Sequence, residues 1–450
     1  MLQTLLDYYR LPEISVECYS PNDLRNEPGF FSFNGIKCFG RCSVPVARTA
    51  RGVLSDCGHK VRTTAGMLEM PFDADEVPNN FRRECYLIQQ KRFCGAGSHF
   101  SRRLYYSVRS LLPAKLRQKL QQAHALGWQK IAFPGWPVDL SLDLCLEQIL
   151  LLVMASLGVD RLPFIWFWPD GCRSAAIMTH DVETAAGRDF CSQLMDLDES
   201  YGLRGSFQLV PEQRYDITEE FLTEIRQRGF EINIHDLNHD GRLFLQRKEF
   251  LRRAVRINEF GRHFGALGFR SAVLYRNMDW FEELEFLYDM SVPNTAPLDP
   301  QRGGCCTVMP YSIGRLVELP LTTIQDYSLF HVLGSFSTAL WEQQIAAVMT
   351  HNGLLSFIVH PDYLLEDRAR NTYRHLLHRL CECAVKEGAW LTLPREIAQW
   401  WKQRETLTLV RTAGAWGIRG DGAERASVAW AVAQEGHLLY ELQEATQFVC

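Results

Sequence analysis

The feature that most constrains the fold is the alternation of short apolar segments with longer amphipathic segments from residue 161 to about residue 402. The apolar segments have the length and composition of strands, and the segments between them have the spacing of helices. Strands that recur with helices between them indicate parallel pairing through crossover helices. Seven or eight such strands favour a barrel over an open sheet, so the sequence predicts an α/β fold with a barrel of about seven strands.

The two flanking regions have a different character. Residues 1–160 are rich in Gly, Cys and turn residues and end in a helix predicted at Asp139–Ser156, which together indicate an irregular α+β module. Residues 404–450 lose the helical spacing and are typical of a small antiparallel β appendage. A chain of 450 residues is long enough for two or three domains. We therefore predict three: 1–160, 161–403 and 404–450.

The charge of the chain limits its partners. A net charge of -5 and a pI near 6.2 argue against a dedicated nucleic-acid binder, which usually has a strongly basic domain. One segment departs from this average, because residues 85–138 contain nine Lys or Arg and no Asp or Glu. It is either a solvated basic face or a surface that contacts an anionic membrane or an acidic glycan at the membrane periphery.

The sequence shows no secretory signal at the start of the chain and no apolar run long enough for a membrane span. Its 14 cysteines are scattered, without a C-x-x-C pair. Both observations favour a cytoplasmic protein with reduced thiols. Cys38, Cys42, Cys57 and His59 have the ligand types of a structural zinc site, but ordinary core thiols are the alternative.

Polar side chains follow several predicted strands, where a parallel barrel carries its chemistry. Asp181 and Glu183 end the first strand, and residues two apart in an extended chain point the same way. They form either a solvated acid pair or half of a cation site.

His235 and His239 follow a later strand at the spacing that places two imidazoles on one side of a helical turn. Two imidazoles with a carboxylate are a common ligand set for zinc and related divalent metals. Arg270 and His360 also stand at strand ends, and a histidine at such a place is either a barrel-mouth group or is bonded to backbone.

Taken in order, Asp-x-Glu, His-x3-His, Phe-Arg, Tyr-Asp and a strand ending in His resemble the motifs of the polysaccharide deacetylase family, with its NodB-homology domain of carbohydrate esterase family 4. The resemblance covers about residues 165–402. It departs from the usual T-F-D-D-G at Val182 and from Arg-x-Pro at Ala272. The resemblance implies a distorted (β/α) barrel and metal-dependent removal of acetyl groups from N-acetylated sugars of a polysaccharide or glycan intermediate, such as one in exopolysaccharide synthesis.

The resemblance also implies roles for individual residues. Asp181 would be the catalytic base, held by Arg270, and His360 the catalytic acid. Asp289, in the Tyr-Asp pair, would orient His360. The implied metal ligands are Glu183, His235 and His239.

The implied cofactor is a divalent metal, foremost zinc, with cobalt, nickel and manganese as alternatives. Three aromatic residues near the predicted site, Tyr275, Trp280 and Tyr311, either stack on sugar rings or pack in the core. Two other functions stay open: an amidohydrolase acting on a small amide or ureide, and a non-catalytic glycan-binding homologue. Oligomeric state is not predicted.

Overall fold

The computed structural model describes residues 2–21, 23–87, 126–412 and 414–443. Within them the chain forms two compact units that interleave in sequence. Unit 1 is drawn from 1–93, 140–172 and 400–450, and unit 2 from 94–139 and 173–399. These boundaries differ from those of the three consecutive domains expected from sequence, which stay a prediction.

The helices are short to medium in length, and most of them lie between strands. In chain order they are α1 Gln3–Tyr9, α2 Glu76–Arg82, α3 Ser141–Leu157, α4 Ala185–Ser200, α5 Glu219–Gln227, α6 Arg247–Phe264, α7 Ala339–Thr350, α8 Asp367–Glu387 and α9 Pro394–Thr406.

The strands are numbered in chain order and fall into two groups, one in each unit. Those of unit 1 are β1 Glu17–Tyr19, β2 Gly29–Phe33, β3 Ile36–Gly40, β4 Arg62–Thr64, β5 Met67–Glu69, β6 Arg161–Ile165, β16 Thr408–Thr412, β17 Ala415–Arg419, β18 Val428–Gln434 and β19 His437–Leu442. Those of unit 2 are β7 Ser174–Val182, β8 Ser206–Leu209, β9 Glu231–His235, β10 Gly268–Arg270, β11 Tyr288–Asp289, β12 Tyr311–Ile313, β13 Leu316–Glu318, β14 Leu354–Ile358 and β15 Ala389–Leu391.

Unit 2 is built on one sheet with the strand order β12-β13-β11-β10-β9-β8-β7-β14, and β15 also pairs with β7. All pairings are parallel except that of β12 with β13. All nine residues of β7 are buried, as expected of a parallel strand covered on both faces. The predicted α/β fold, a distorted (β/α) barrel, is confirmed.

Parallel pairing brings the carboxyl ends of the strands to one edge of this sheet. The register pairs Arg270 at the end of β10 with His235 at the end of β9, so two predicted site residues are neighbours. The helix after β7 begins where the side chain of Thr184 accepts a hydrogen bond from the Gly187 N–H. The pairing of the strands therefore fixes the Cα positions of the site residues at the strand ends.

Two parts of the predicted barrel differ from the structure. The spacing of apolar residues predicts a helix over Trp280–Leu287, but the chain there forms a 3-10 helix at Met278–Glu283 followed by irregular chain. The sequence pattern does not predict strand β11, because its two residues are too few to show a period.

Unit 1 contains small sheets with mainly antiparallel pairing. Strand β6, which sequence placed at the start of the barrel, instead pairs antiparallel with β18, whose other neighbour is β19. The predicted β appendage therefore exists as antiparallel β, and β6 completes it. Strand periodicity alone does not say which sheet a strand joins, which explains the misplacement.

Among the described residues, every helix falls short of the length and apolar character that crossing a bilayer requires. Of the basic segment 85–138, residues 88–125 lie outside the described residues, so its membrane or glycan contact stays a prediction. Cys38, Cys42 and Cys57 are buried, whereas His59 is exposed. Within the described part of the chain these four do not gather as a metal-binding group, so burial favours core thiols.

Candidate metal centre

Three predicted ligands meet beyond the carboxyl ends of β7 and β9. The Oε1 atom of Glu183 lies 2.9 Å from Nε2 of His239 and 3.6 Å from Nε2 of His235. The ligand atoms of all three residues lie within 4.8 Å of one another, and in the described residues they are the one group of this kind. The spacing in sequence thus corresponds to a real cluster.

The loop that joins the two histidines is not the predicted helical turn. His235 is the last residue of β9, and the chain then turns through Asp236 and His239 in the left-handed region, with φ of 59° and 54°. Asp236 stabilises the turn by accepting a hydrogen bond at Oδ1 from the Leu237 N–H. The imidazoles therefore converge because of a tight polar loop and not because of helical periodicity.

The environment of His235 favours metal ligation. Its Nδ1 lies 3.2 Å from the carbonyl oxygen of Arg270, which can only accept, so the ring proton belongs on Nδ1. The Nε2 lone pair then faces Glu183. His239 differs, because Nη2 of Arg214 lies 3.1 Å from its Nδ1 and also donates to its carbonyl oxygen at 2.6 Å. Because a guanidinium can only donate, Nδ1 of His239 accepts, and a neutral His239 then carries its proton on Nε2, facing Glu183.

The donor set fits a divalent cation. Both Nε2 atoms are buried and have no hydrogen-bond partner in the described residues, which is costly unless a cation meets them. Ligands about 2.1 Å from a tetrahedral zinc lie about 3.4 Å apart, close to the observed separations from Glu183. The side chain of Glu183 is 22 % exposed, against 1 % for His235, so solvent reaches the group from the Glu183 side.

The electrostatics of Glu183 agree with this. Burial alone would raise its pKa, but the three surrounding imidazoles, that of His239 foremost, hold the pKa well below its usual value. The third imidazole is that of His360, whose Nε2 lies 3.4 Å from Glu183 Oε1. An ionised carboxylate is the form that binds a metal.

Asp181 lies on one side of the cluster, paired with Arg270. Nη1 of Arg270 donates to Oδ1 of Asp181 at 2.6 Å and to the hydroxyl of Thr179 at 2.7 Å, and its Nε donates to the carbonyl of Met290. Burial opposes ionisation, yet Arg270 and the nearby histidines keep the pKa of Asp181 below its usual value. Oδ2 is left on the cluster side, 3.6 Å from Nε2 of His235.

His360 lies on the other side and is held by Asp326. Oδ1 of Asp326 lies 2.6 Å from Nδ1 of His360, and Oδ2 accepts from the His360 backbone N–H at 2.7 Å. Burial lowers the pKa of His360, but Asp326 and Glu183 outweigh it and raise the pKa well above its usual value. His360 is therefore protonated near neutral pH, with Nε2 directed at Glu183.

The prediction that Asp289 orients His360 is wrong. The oxygens of Asp289 bond to the backbone N–H and hydroxyl of Ser291, beside Glu318 and close to Arg270. Asp289 ends β11, whereas Asp326 follows β13 after a loop and reaches the strand that precedes His360. The sequence signal for Asp326 is an acidic residue in the loop that follows β13. It is weaker than the Tyr-Asp pair, because it stands eight residues beyond the end of the strand.

The predicted sugar-binding aromatics are mostly packed away. Tyr275 and Tyr311 are 6 % and 2 % exposed, and the half-buried Trp280 stacks on Phe244 with ring centroids 6.0 Å apart. Their geometry favours the core-packing alternative.

A different aromatic group adjoins His360. The Tyr363 ring lies 4.8 Å from that of His360, and the rings of His331 and Tyr327 lie 4.6 and 6.1 Å from Tyr363. All three are half-buried. Sequence reasoning missed them, because they come from two short helical turns, a π-helix at Ser328–Val332 that Tyr327 immediately precedes and a 3-10 helix at Tyr363–Leu365, which are too short to show a period.

Comparison with known proteins gives structural likenesses alone, since no protein-family model and no curated protein matches the chain. A protein from Mycobacterium smegmatis described as a polysaccharide deacetylase is similar at 18 % identity and a TM-score of 0.43, covering 55 % of this chain and 96 % of its own. Puue allantoinase is similar at 13 % identity and a TM-score of 0.42, covering 52 % and 92 %. The peptidoglycan deacetylase PdaC from Bacillus subtilis is similar at 13 % identity and a TM-score of 0.34, covering 52 % and 93 %.

Likenesses with TM-scores below 0.5 are too weak to transfer an activity, so the function is inferred from this chain's own side chains. The chain resembles the polysaccharide deacetylases in its ordered motifs, and unit 2 forms the distorted (β/α) barrel that this resemblance implies.

Proposed function

We propose that this protein is a metal-dependent hydrolase that removes acetyl groups from the N-acetylated sugars of a glycan. One observation carries the proposal: the cluster of Glu183, His235 and His239 lies between an arginine-held carboxylate and a carboxylate-held imidazole. A cation site with a base on one side and an acid on the other is what hydrolysis of an amide requires.

The three clustered residues would hold the metal through one carboxylate oxygen and two imidazole nitrogens. When bound, a divalent metal lowers the pKa of a water and polarises the acetyl carbonyl. Two imidazoles and a carboxylate leave positions open for water and substrate. The partly exposed side chain of Glu183 marks the direction of access.

Asp181 would act as the general base. Arg270 occupies Oδ1, so Oδ2 is the oxygen available to accept the proton of the attacking water. The lowered pKa keeps this carboxylate ionised at neutral pH. Arg270 also fixes its orientation, since its Nε is tied to the Met290 carbonyl.

His360 would act as the general acid. Asp326 occupies Nδ1, so Nε2 is the atom that can donate a proton to the departing sugar amine. The raised pKa keeps the imidazole protonated until that step. Base and acid are thus in opposite, complementary states over the same pH range.

The substrate would contact the aromatic group of Tyr363, Tyr327 and His331 next to the acid. Half-buried rings offer part of a face, which suits the apolar side of a sugar ring. A glycan of exopolysaccharide synthesis, presented at a membrane to the basic segment 85–138, is the substrate class we favour.

The test combines metal content with acetate release. Purified protein is stripped with chelator, reloaded with zinc, cobalt, nickel or manganese, and assayed on N-acetylated oligosaccharides and on small ureides. Acetate release that needs the metal supports the proposal. Turnover of ureides alone would identify an amidohydrolase, and metal binding without any turnover would identify a glycan-binding homologue.

A further inference from the structure

The sheet of unit 2 contains a notch at the end opposite the metal centre. Strand β14 pairs with one edge of β7, and β15 and β8 share the other edge. On that edge β15 covers 174–176 and β8 covers 179–182, so Ile177 and Met178 lie between the two pairings. A cavity of about 380 Å³ opens at this gap.

The position of the cavity separates it from the proposed catalytic site. Its lining includes 202–204 and 227–229, which immediately precede β8 and β9, together with 391–393 at the end of β15. Leu391 ends β15 but pairs with Ala176, near the amino end of β7. The catalytic candidates lie at or just beyond the carboxyl ends of β7, β9, β10 and β14. In a parallel sheet these are opposite edges, so a ligand here would not occupy the metal centre.

The lining carries an excess of positive charge. Three arginines and one glutamate contribute to it. Arg228 is neutralised, because its Nη2 lies 2.7 Å from both Asp196 and Glu199. Glu396 is also engaged, since its Oε2 accepts from the Thr392 hydroxyl and the Leu393 N–H.

The two remaining guanidinium groups make no short ion pair among the described residues, although Arg204 lies within electrostatic range of Glu199 and Arg395 within that of Glu231. Arg204 donates from Nε to the carbonyl of Arg228 at 2.9 Å, and its two terminal nitrogens have no recorded partner in the described residues. Arg395 uses its backbone N–H on the buried Glu231, and its side chain makes no ion pair within 4.0 Å among those residues. Forked guanidinium donors match the oxygens of carboxylate and phosphoryl groups.

The rest of the lining is apolar, and Leu203, Leu380, Leu391 and Leu393 all contribute to it. The volume falls in the range of small-molecule sites, which is roughly 300 to 1,000 Å³. We propose that this notch binds a small metabolite that carries a phosphoryl or carboxylate group, with Arg204 and Arg395 as the anion-binding residues. This goes beyond the proposed deacetylation and does not depend on it.

Calorimetric titration of the full chain at low salt tests the site, with inorganic phosphate, glucosamine 6-phosphate and citrate as probes. A phosphoryl ligand predicts binding of the first two, and a carboxylate ligand predicts binding of citrate. Each of Arg204→Gln and Arg395→Gln should weaken binding roughly ten-fold or more, as loss of charge-assisted hydrogen bonds implies. Arg374→Gln removes an exposed arginine of α8 outside the lining and should change nothing.

Thermal unfolding without ligand verifies that each variant is folded, which is expected because Arg204 is exposed and Arg395 half-buried. If none of the three probes binds the unaltered protein at millimolar concentration, the proposal is overturned. Equal weakening by Arg374→Gln would also overturn it, since it would indicate non-specific charge attraction. Metal content and acetate release play no part in these readouts, so the outcome is independent of the catalytic proposal.

Discussion

Two glutamates at opposite ends of the unit 2 sheet, the buried Glu231 and the partly exposed Glu183, have opposite electrostatics. Glu231 begins β9 and meets neutral donors, the Tyr288 hydroxyl at 2.6 Å and the Arg395 N–H at 3.1 Å. Burial raises its pKa to about 7, partly offset by Tyr288. Glu183 follows β7 and meets three imidazoles, which lower its pKa well below the usual value.

The comparison shows how one sheet separates stability from chemistry. Around Glu231 the donors are satisfied, and the carboxyl group is free to take a proton. Around Glu183 the Nε2 atoms of His235 and His239 make no hydrogen bond within the described residues, which is the arrangement that we propose for a cation. The following changes test this distinction, beginning with the largest expected effect.

Asp181→Asn should lower turnover about 100- to 10,000-fold, because the amide cannot accept the water proton. Asn preserves the shape and one acceptor for Arg270, so bound metal should be retained. Steady-state kinetics and elemental analysis on the same sample measure both. Loss of metal along with activity would instead make Asp181 a ligand and leave Glu183 as a neighbour.

Glu183→Gln should weaken metal binding more than about 100-fold, the upper value typical of residues that only support a ligand. Excess metal should restore part of the activity, since the base and acid are intact. A metal titration followed by activity measures this, with His235→Ala and His239→Ala as companions that should also lose metal while remaining folded. Full metal content in the double histidine variant would refute the site.

Asp326→Asn should shift a pH profile more than it lowers the maximal rate. The pKa of His360 is raised in the folded protein, chiefly by Asp326 against the lowering effect of burial, so removing the charge of Asp326 lowers that pKa. The acid is then lost at lower pH, and the alkaline limb of kcat/KM moves to lower pH. Asp289→Asn is the matched control. An equal shift in that variant would mean that Asp289, as the motif resemblance implies, orients His360.

Glu231→Gln should leave metal content and activity unchanged but alter the pH dependence of stability. A carboxyl group whose folded pKa is raised stabilises the protein below its unfolded pKa, near 4.5, and that contribution is lost as pH rises through about 7. The shift corresponds to about 3 kcal/mol. Denaturant unfolding should show this decline in the parent and not in the variant. If Glu231→Gln changed the metal content, Glu231 and Glu183 could no longer be assigned separate roles in stability and in metal binding.

The strands and helices of the barrel could be predicted because each is encoded within its own segment. The local pattern predicts a strand at Gly268–Arg270, which are the bounds of β10. It also predicts helices at Lys248–Phe264 and Asp367–Lys386, each one residue shorter than α6 and α8.

The Asp-x-Glu spacing likewise keeps Asp181 near Glu183, and the His-x3-His spacing keeps His235 near His239, because residues a few positions apart cannot separate far. The two pairs meet because β7, β8 and β9 are neighbours in the parallel sheet. The turn between the histidines was wrong, since left-handed residues at Asp236 and His239 leave no periodic signal.

What sequence by itself determined was therefore the barrel, the candidate ligands and the candidate base and acid. Only the tertiary structure decided that Asp326 and not Asp289 holds His360, that β6 joins β18, and that β8 and β15 leave a notch beside Met178. The physical reason is distance along the chain. Asp326 and His360 are 34 residues apart, and β6 and β18 more than 250, so their contacts follow from strand register and loop path, which no local pattern of apolar and polar residues specifies.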